Sequence, residues 1–280
     1  MMNLCKNNCK KRGRLNVIDF RYSPMEEDVG CFGKKGGGKT TRAKMILDLV
    51  PNIARWVWSP QKPKENYAGY GEMVDKIEDI HHGAFVYTGD FNKANFLNFC
   101  NKVMTFKNGI VVVDDCHEYV SKQFMPPEFE TLVLSGRNLG ISGIYISPFP
   151  AQVPNQILGG LTHIFNYQMN LLTQIEWVRD NFFGNEAWLL LPKDQRNKFY
   201  VGEDDPDILE KHAFLYRKDS DTKTQFSWQG QSDALNPSEV EESSEPSPIA
   251  ETGDNSMPRT SLSGEIHQRE ESEHSSQETS

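Results

Sequence analysis

The sequence predicts an α/β fold, a mostly parallel central sheet with helices on both faces, and three observations carry that prediction. Short apolar runs of strand length alternate with segments of helical period, the pattern of strands joined by crossover helices. One such junction, Gly33-Lys34-Lys35-Gly36-Gly37-Gly38-Lys39-Thr40, is a complete G-x-x-x-x-G-K-[ST] phosphate-binding loop. A later run, Gly109-Ile110-Val111-Val112-Val113-Asp114-Asp115, reads as a strand buried on both faces. It ends in two carboxylates, where open α/β sheets hold their ligands.

Residues 1–14 carry Lys6, Lys10, Lys11, Arg12 and Arg14. They read as a flexible basic arm, either touching nucleic-acid phosphates or simply solvated. No apolar segment follows them, so no signal peptide is expected. The folded domain spans residues 15–218 in this reading and opens with an edge strand at 15–22. Residues 29–32 form the strand entering the phosphate loop, and 41–49 the apolar-striped helix leaving it. Gly36, Gly37 and Gly38 lack a Cβ, so the backbone can turn left-handed and press against a polyphosphate. Gly33, Lys34, Lys35, Gly36, Gly37, Gly38, Lys39, Thr40 and Thr41 then form a cradle of N–H groups at the positive end of a helix. Lys39 reaches the β- and γ-phosphates, and the Thr40 hydroxyl ligates Mg²⁺. The chain is therefore expected to bind ATP with Mg²⁺.

Residues 53–58 read as a strand closed by Ser59-Pro60, 61–71 as a loop, 73–80 as a short helix and 83–88 as a strand. Phe91, Ala94, Phe96, Leu97, Phe99, Cys100 and Val103 fall on one face of a helix over 90–106. After the strand 109–113, Asp114 is placed to hold the Mg²⁺ hydration shell. Asp115 is placed to orient or activate the attacking water, with Glu118 as an alternative base. Pro126-Pro127-Glu128 starts a helix that runs to about 139. Residues 141–147 and 161–167 are strands, the first stopped by Pro148, Pro150 and Pro154. A helix over 171–181, an antiparallel pair at 186–191 and 198–201, and a strand at 213–217 complete the domain.

Hydrophobic residues make up 37% of the chain, below the roughly 45–50% of globular proteins, and the deficit lies at one end. Residues 231–280 hold twelve acidic residues against Arg259 and Arg269, with twelve serines. Their net charge is −10, and since the whole chain stands at −9, residues 1–230 sum to about +1. Residues 219–280 are thus expected to be a disordered acidic tail that cannot bury enough apolar surface to offset its ordering entropy. Five scattered cysteines favour free thiols in a reducing compartment. No apolar run reaches the length of a membrane span, so a soluble, intracellular protein is expected.

The phosphate loop, the strand 110–115 and the run Gly136-Arg137-Asn138-Leu139-Gly140-Ile141-Ser142 together resemble the HerA–FtsK superfamily of P-loop ATPases. More narrowly, the chain looks like the small genome-packaging ATPases of viruses with double-jelly-roll capsids. Ser147-Pro148-Phe149-Pro150-Ala151-Gln152-Val153-Pro154 is similar to the family segment that carries a sensor glutamine and an arginine. Here those two positions are Pro148 and Phe149, and Ser147 offers a hydroxyl instead. The resemblance implies a RecA-like P-loop NTPase core and ATP hydrolysis coupled to translocation of double-stranded DNA. It further implies self-association as a ring, a hexamer, and a capsid or portal-vertex partner. The host cytoplasm would be its location, with the virion as a second. Arg137 is either an arginine supplied to a neighbouring subunit's nucleotide or a residue answering its own helix dipole; Arg55 and Arg179 are lesser alternatives. Lys62, Lys64 and the basic arm are the expected DNA-backbone contacts. Three rivals stand beside this reading: a filamentous-phage-type assembly ATPase, a small-molecule kinase, and a nucleotide-dependent scaffold without turnover.

Overall fold

A computed structural model of the protein describes residues 20–192, 213–219 and 225–228. Nine strands form one sheet: β1 (Asp28–Phe32), β2 (Ala54–Trp58), β3 (Glu72–Val74), β4 (Ala84–Tyr87), β5 (Gly109–Val113), β6 (Ile141–Ser147), β7 (Leu161–Tyr167), β8 (Ala213–Lys218) and β9 (Gln225–Trp228). Their order is β3-β4-β2-β5-β6-β1-β7-β8-β9. Every pairing from β3 across to β7 is parallel, and β8 and β9 add an antiparallel edge. The helices are α1 (Lys39–Leu49), α2 (Pro63–Asn66), α3 (Lys93–Met104), α4 (Pro127–Ser135), α5 (Asn155–Leu158) and α6 (Leu172–Val178). This is an α/β, P-loop NTPase-like fold.

The alternation of side chains along β5 explains why helices cover both faces. Ile110 and Val112 join a core with Ala43, Ile46 and Leu47 of α1. Val111 and Val113 point the other way, into a core with Phe96 and Phe99 of α3 and Phe129 of α4. Trp58 anchors that second core, stacked on Tyr87 at 4.9 Å between ring centroids and edge-on to Phe96 at 5.3 Å. Fully burying aromatic side chains of this size contributes about 1.5–3 kcal/mol each. The aromatic cluster therefore holds the ends of β2 and β4 in place.

Several expected elements differ. Residues 73–80 are not a helix: β3 pairs in parallel with β4, and a 3₁₀ turn covers Ile77–Asp79. Eight residues are too few to sustain a helix alone, and the Thr88 N–H bonding Val74 O at 2.7 Å rewards the extended form. The loop at 61–71 contains the single turn α2, opened by Lys62 at φ 54 and by Pro63. Residues 184–190 form a 3₁₀ helix with Ala187, Trp188 and Leu190 buried, where a strand was expected; 198–201 lies outside the described residues. Of the expected edge strand at 15–22 only 20–22 is described. Phe20 and Tyr22 are buried there without joining the sheet, and Phe20 packs 4.9 Å from His163. Strand β9 falls within the stretch 219–280 read as tail, so the folded chain extends to Trp228; the arm 1–14 and residues 229–280 lie outside the described residues. Cys31, Cys100 and Cys116 are buried free thiols. Among the described residues no helix is long and apolar enough to cross a membrane.

Candidate nucleotide site

The turn between β1 and α1 is built by glycines, each for a local reason. Gly36 and Gly38 sit at φ 75 and φ 105, in the left-handed region. Gly33, at φ 133, is packed so tightly that a Cβ would stand 2.7 Å from Tyr167 Cβ and 2.8 Å from Tyr167 O. Tyr167 ends β7 and thereby props the turn from below. Gly33 N–H bonds Ser147 O at 3.3 Å and Lys34 N–H bonds Gln168 O at 2.9 Å, so both flanking strands fix the turn.

Helix α1 has no side-chain cap and no acidic residue in its first turn. Its first internal bond runs from Arg42 N–H to Gly38 O at 2.9 Å, so the N–H groups of Lys39, Thr40 and Thr41 have no partner within the helix. Such an end favours an anion. Lys39 is buried, and its Nζ donates to Gly33 O at 2.8 Å and Lys34 O at 3.1 Å. Burial pushes its ammonium down, against the opposing pull of Asp114 and Asp115.

The two carboxylates meet this loop. In the order β5-β6-β1 a single strand separates Val113 from Phe32, and all three strands point the same way. Thr40 Oγ1 donates to Asp114 Oδ2 at 3.2 Å, and Ser59 Oγ donates to the same oxygen at 3.4 Å. Asp115 N–H bonds Asp114 Oδ1 at 3.0 Å. Burial and then the neighbouring Asp115 charge push the Asp114 carboxyl up to about 6, although Lys39 and Thr40 counteract them. A buried carboxylate beside a hydroxyl, both hard oxygen donors, fits Mg²⁺, which takes one or two protein oxygens together with phosphate oxygens. Asp115 adopts φ 54 and lines a cavity of about 1050 Å³ together with Lys34, Lys35, Gly36, Gly38, Lys39, Thr40, Thr41 and Asp114. Glu118, the alternative base, is exposed and does not line that cavity.

The other expected residues are dispersed. Ser147 is buried beneath the cavity wall, and its Oγ accepts the Phe149 N–H at 3.0 Å; Pro148 and Phe149 themselves line the cavity. Arg137 is exposed before β6, at the N-terminal edge of the sheet, where its charge acts on Asp28; the cavity opens at the opposite edge. Arg55 is a structural group: its guanidinium donates to Leu47, Val50, Pro51 and Ile53 carbonyls. Arg179 pairs with Asp180 at 2.7 Å and lies over Trp188. Lys62 is exposed, pairs with Glu65 at 2.8 Å and stands at the cavity mouth, whereas Lys64 is exposed on α2.

Sequence reasoning missed several groups. Ser59 directly follows β2, neighbour of β5, so its place at a strand end was a usable signal. Tyr67 is fully buried, and burial followed by the Asp114 charge raises its phenol well above the usual range. Nothing in its loop announces that. His117 lines the cavity with its ring 5.3 Å from Phe149 and a buried Nδ1 that has no partner among the described residues. Gln174 also lines the cavity, a polar residue on the buried stripe of α6 that also holds Ile175 and Val178.

No protein-family model and no curated protein sequence matches this chain. Among solved structures it is similar to the genome packaging NTPase B204 from Sulfolobus turreted icosahedral virus 2 in complex with sulfate, at a TM-score of 0.57 and 12% identity over 74% of this chain and 97% of that one. The same protein in complex with ATP-gammaS gives 0.56 and 12% over 73% and 98%. B204, the DNA-packaging ATPase from Sulfolobus turreted icosahedral virus, gives 0.54 and 12% over 73% and 98%. The likeness establishes a shared fold that spans nearly the whole of those proteins.

Proposed function

We propose that this chain is a Mg²⁺-dependent ATPase of the HerA–FtsK type that drives double-stranded DNA into a viral capsid. One observation carries the reading: the phosphate loop and the twin aspartates converge, with Thr40 Oγ1 and Asp114 Oδ2 at 3.2 Å. The N–H groups of Lys39, Thr40 and Thr41 bind phosphate oxygens, and the Lys39 ammonium moves from its carbonyl partners to the β- and γ-phosphates. Asp115, at the strand end, orients the attacking water and accepts its proton. Thr40 and Asp114 would hold Mg²⁺, which would supply charge neutralisation on the triphosphate. The packaging proteins that share this fold support the coupling to DNA.

In this reading the working unit is a ring, a hexamer, that meets a capsid or portal-vertex protein in the host cytoplasm. Among the described residues no arginine lines the cavity, and Arg137 is exposed at the other edge of the sheet. Those two facts support an arginine delivered by a neighbour. Lys64, Lys62 and the N-terminal arm track the DNA backbone through phosphate contacts.

The decisive measurement is phosphate release from ATP and Mg²⁺ with and without double-stranded DNA, for wild type, Lys39→Ala and the Lys62→Ala/Lys64→Ala pair. Wild type is expected to release phosphate faster with DNA. Lys39→Ala should lose nucleotide binding, and the double variant should lose only the stimulation. Release that ignores DNA in the wild type overturns the translocase reading, and nucleotide binding without release would mark a scaffold.

A further inference from the structure

We infer that Gln174 supplies the side-chain amide that contacts the terminal phosphate of the bound nucleotide, a role for which the turn after β6 leaves no free backbone N–H. The inference rests on the nucleotide-site reading above. From Pro148 to Gln152 the chain skirts the cavity, and its backbone donors are already spent. Pro148 and Pro150 have no N–H. Phe149 N–H is taken by Ser147 Oγ at 3.0 Å, and Ala151 N–H by Gln174 Oε1 at 3.1 Å. Gln152 N–H bonds Phe149 O at 3.1 Å.

That second bond also settles the orientation of the Gln174 amide. A backbone N–H can only donate, so the atom facing Ala151 is the carbonyl oxygen, and the NH₂ group faces the other way. Gln174 is 9% exposed and lines the same cavity as Lys39, Thr40, Asp114 and Asp115. Among the described residues nothing accepts a bond from its Nε2, and that atom is not sealed away from the cavity. A buried polar side chain with one end fastened and a donor turned to a cleft is pre-organised for an anionic ligand. The first fastening point, Ala151, belongs to the turn after β6, so the terminal phosphate and that turn are joined through one amide.

The test measures affinity for a non-hydrolysable ATP analogue and for ADP, both with Mg²⁺, in wild type, Gln174→Glu and Gln174→Met. Gln174→Glu retains an oxygen that accepts the Ala151 N–H but replaces the donor, so a purely structural role survives it. Gln174→Met removes both without adding charge. Both variants are expected to bind ADP as wild type does and the triphosphate analogue roughly tenfold more weakly. Unchanged affinity for both ligands overturns the assignment, as does an equal loss for both. Wild-type protein that binds neither nucleotide overturns the nucleotide-site reading and this inference with it, and the Lys39→Ala control separates that case from a variant-specific loss.

Discussion

Asp28, at the foot of β1, shows how one side chain sets a pH dependence. Its Oδ1 accepts the Gly143 N–H at 2.5 Å, yet burial pushes the carboxyl up to about 6 against that bond and the Arg137 charge. The native state thus holds a proton more tightly than the unfolded chain, whose carboxylates titrate near 4. Stability from this group is present below the unfolded value and is lost as pH rises to about 6. Asp28→Asn keeps an acceptor for Gly143 and removes the ionisation, so it should stabilise the fold by about 2 kcal/mol at pH 8 and change little at pH 3.5. Urea denaturation at both values decides it; an Asn variant weaker than wild type at pH 8 refutes the burial argument. At this scale the sequence was most informative where backbone demands residue type. Gly33 through Thr40 and the pair Asp114 and Asp115 were legible because a left-handed turn and a strand-end carboxylate each admit few alternatives. Tyr67 and Gln174 were not, since their roles arise from loops and helices folded over the cavity and leave no spacing signature.

Helix α1 illustrates the element scale. It has no basic residue in its last turn, and carbonyls of its last turn and of the connection that follows are bonded instead by Arg55 from the next strand. Leu47, Val50 and Ile53 lie at 3.5, 3.3 and 3.3 Å from guanidinium nitrogens. Arg55→Met strips the charged donor from these carbonyls, although Leu47 O and Val50 O keep the Val50 and Ile53 N–H groups at 3.2 Å, and should cost about 1–3 kcal/mol. The loss should appear in urea denaturation, with nucleotide affinity intact in the folded protein. A stability loss under 0.5 kcal/mol would contradict the capping role. Elements with strong periodic or β-branched patterns, such as β5, β6, β7 and α3, were readable from residues alone. Short ones were not: β3 has three residues and exists because β4 offers it hydrogen bonds. The 3₁₀ segment at 184–190 shares its apolar content with a strand, and only its packing against α6 and β8 distinguishes the two.

For the whole molecule, the alternation of strand and helix made a parallel sheet legible but left the strand order open. Nothing local states that β6 lies between β5 and β1, or that β8 and β9 reverse direction. The order sets the phosphate loop and the aspartates at one edge and Arg137 at the other. If Arg137 serves a neighbour, Arg137→Ala and Asp115→Asn should each be inactive alone. Mixed in equal amounts they should regain turnover, because roughly a quarter of the interfaces then pair an intact Asp115 with an intact Arg137. Phosphate release from the mixture checks this, and a mixture as silent as its parts excludes the shared site. The same separation of edges carries a consequence for assembly. If Arg137 is given to a neighbour's site, the giving and receiving surfaces lie at opposite edges, and copies would join head to tail rather than across a two-fold axis. Contacts of that kind either close on themselves or run on as a filament, and they would impose a sense of rotation, each protomer prompting the one ahead of it but not the one behind.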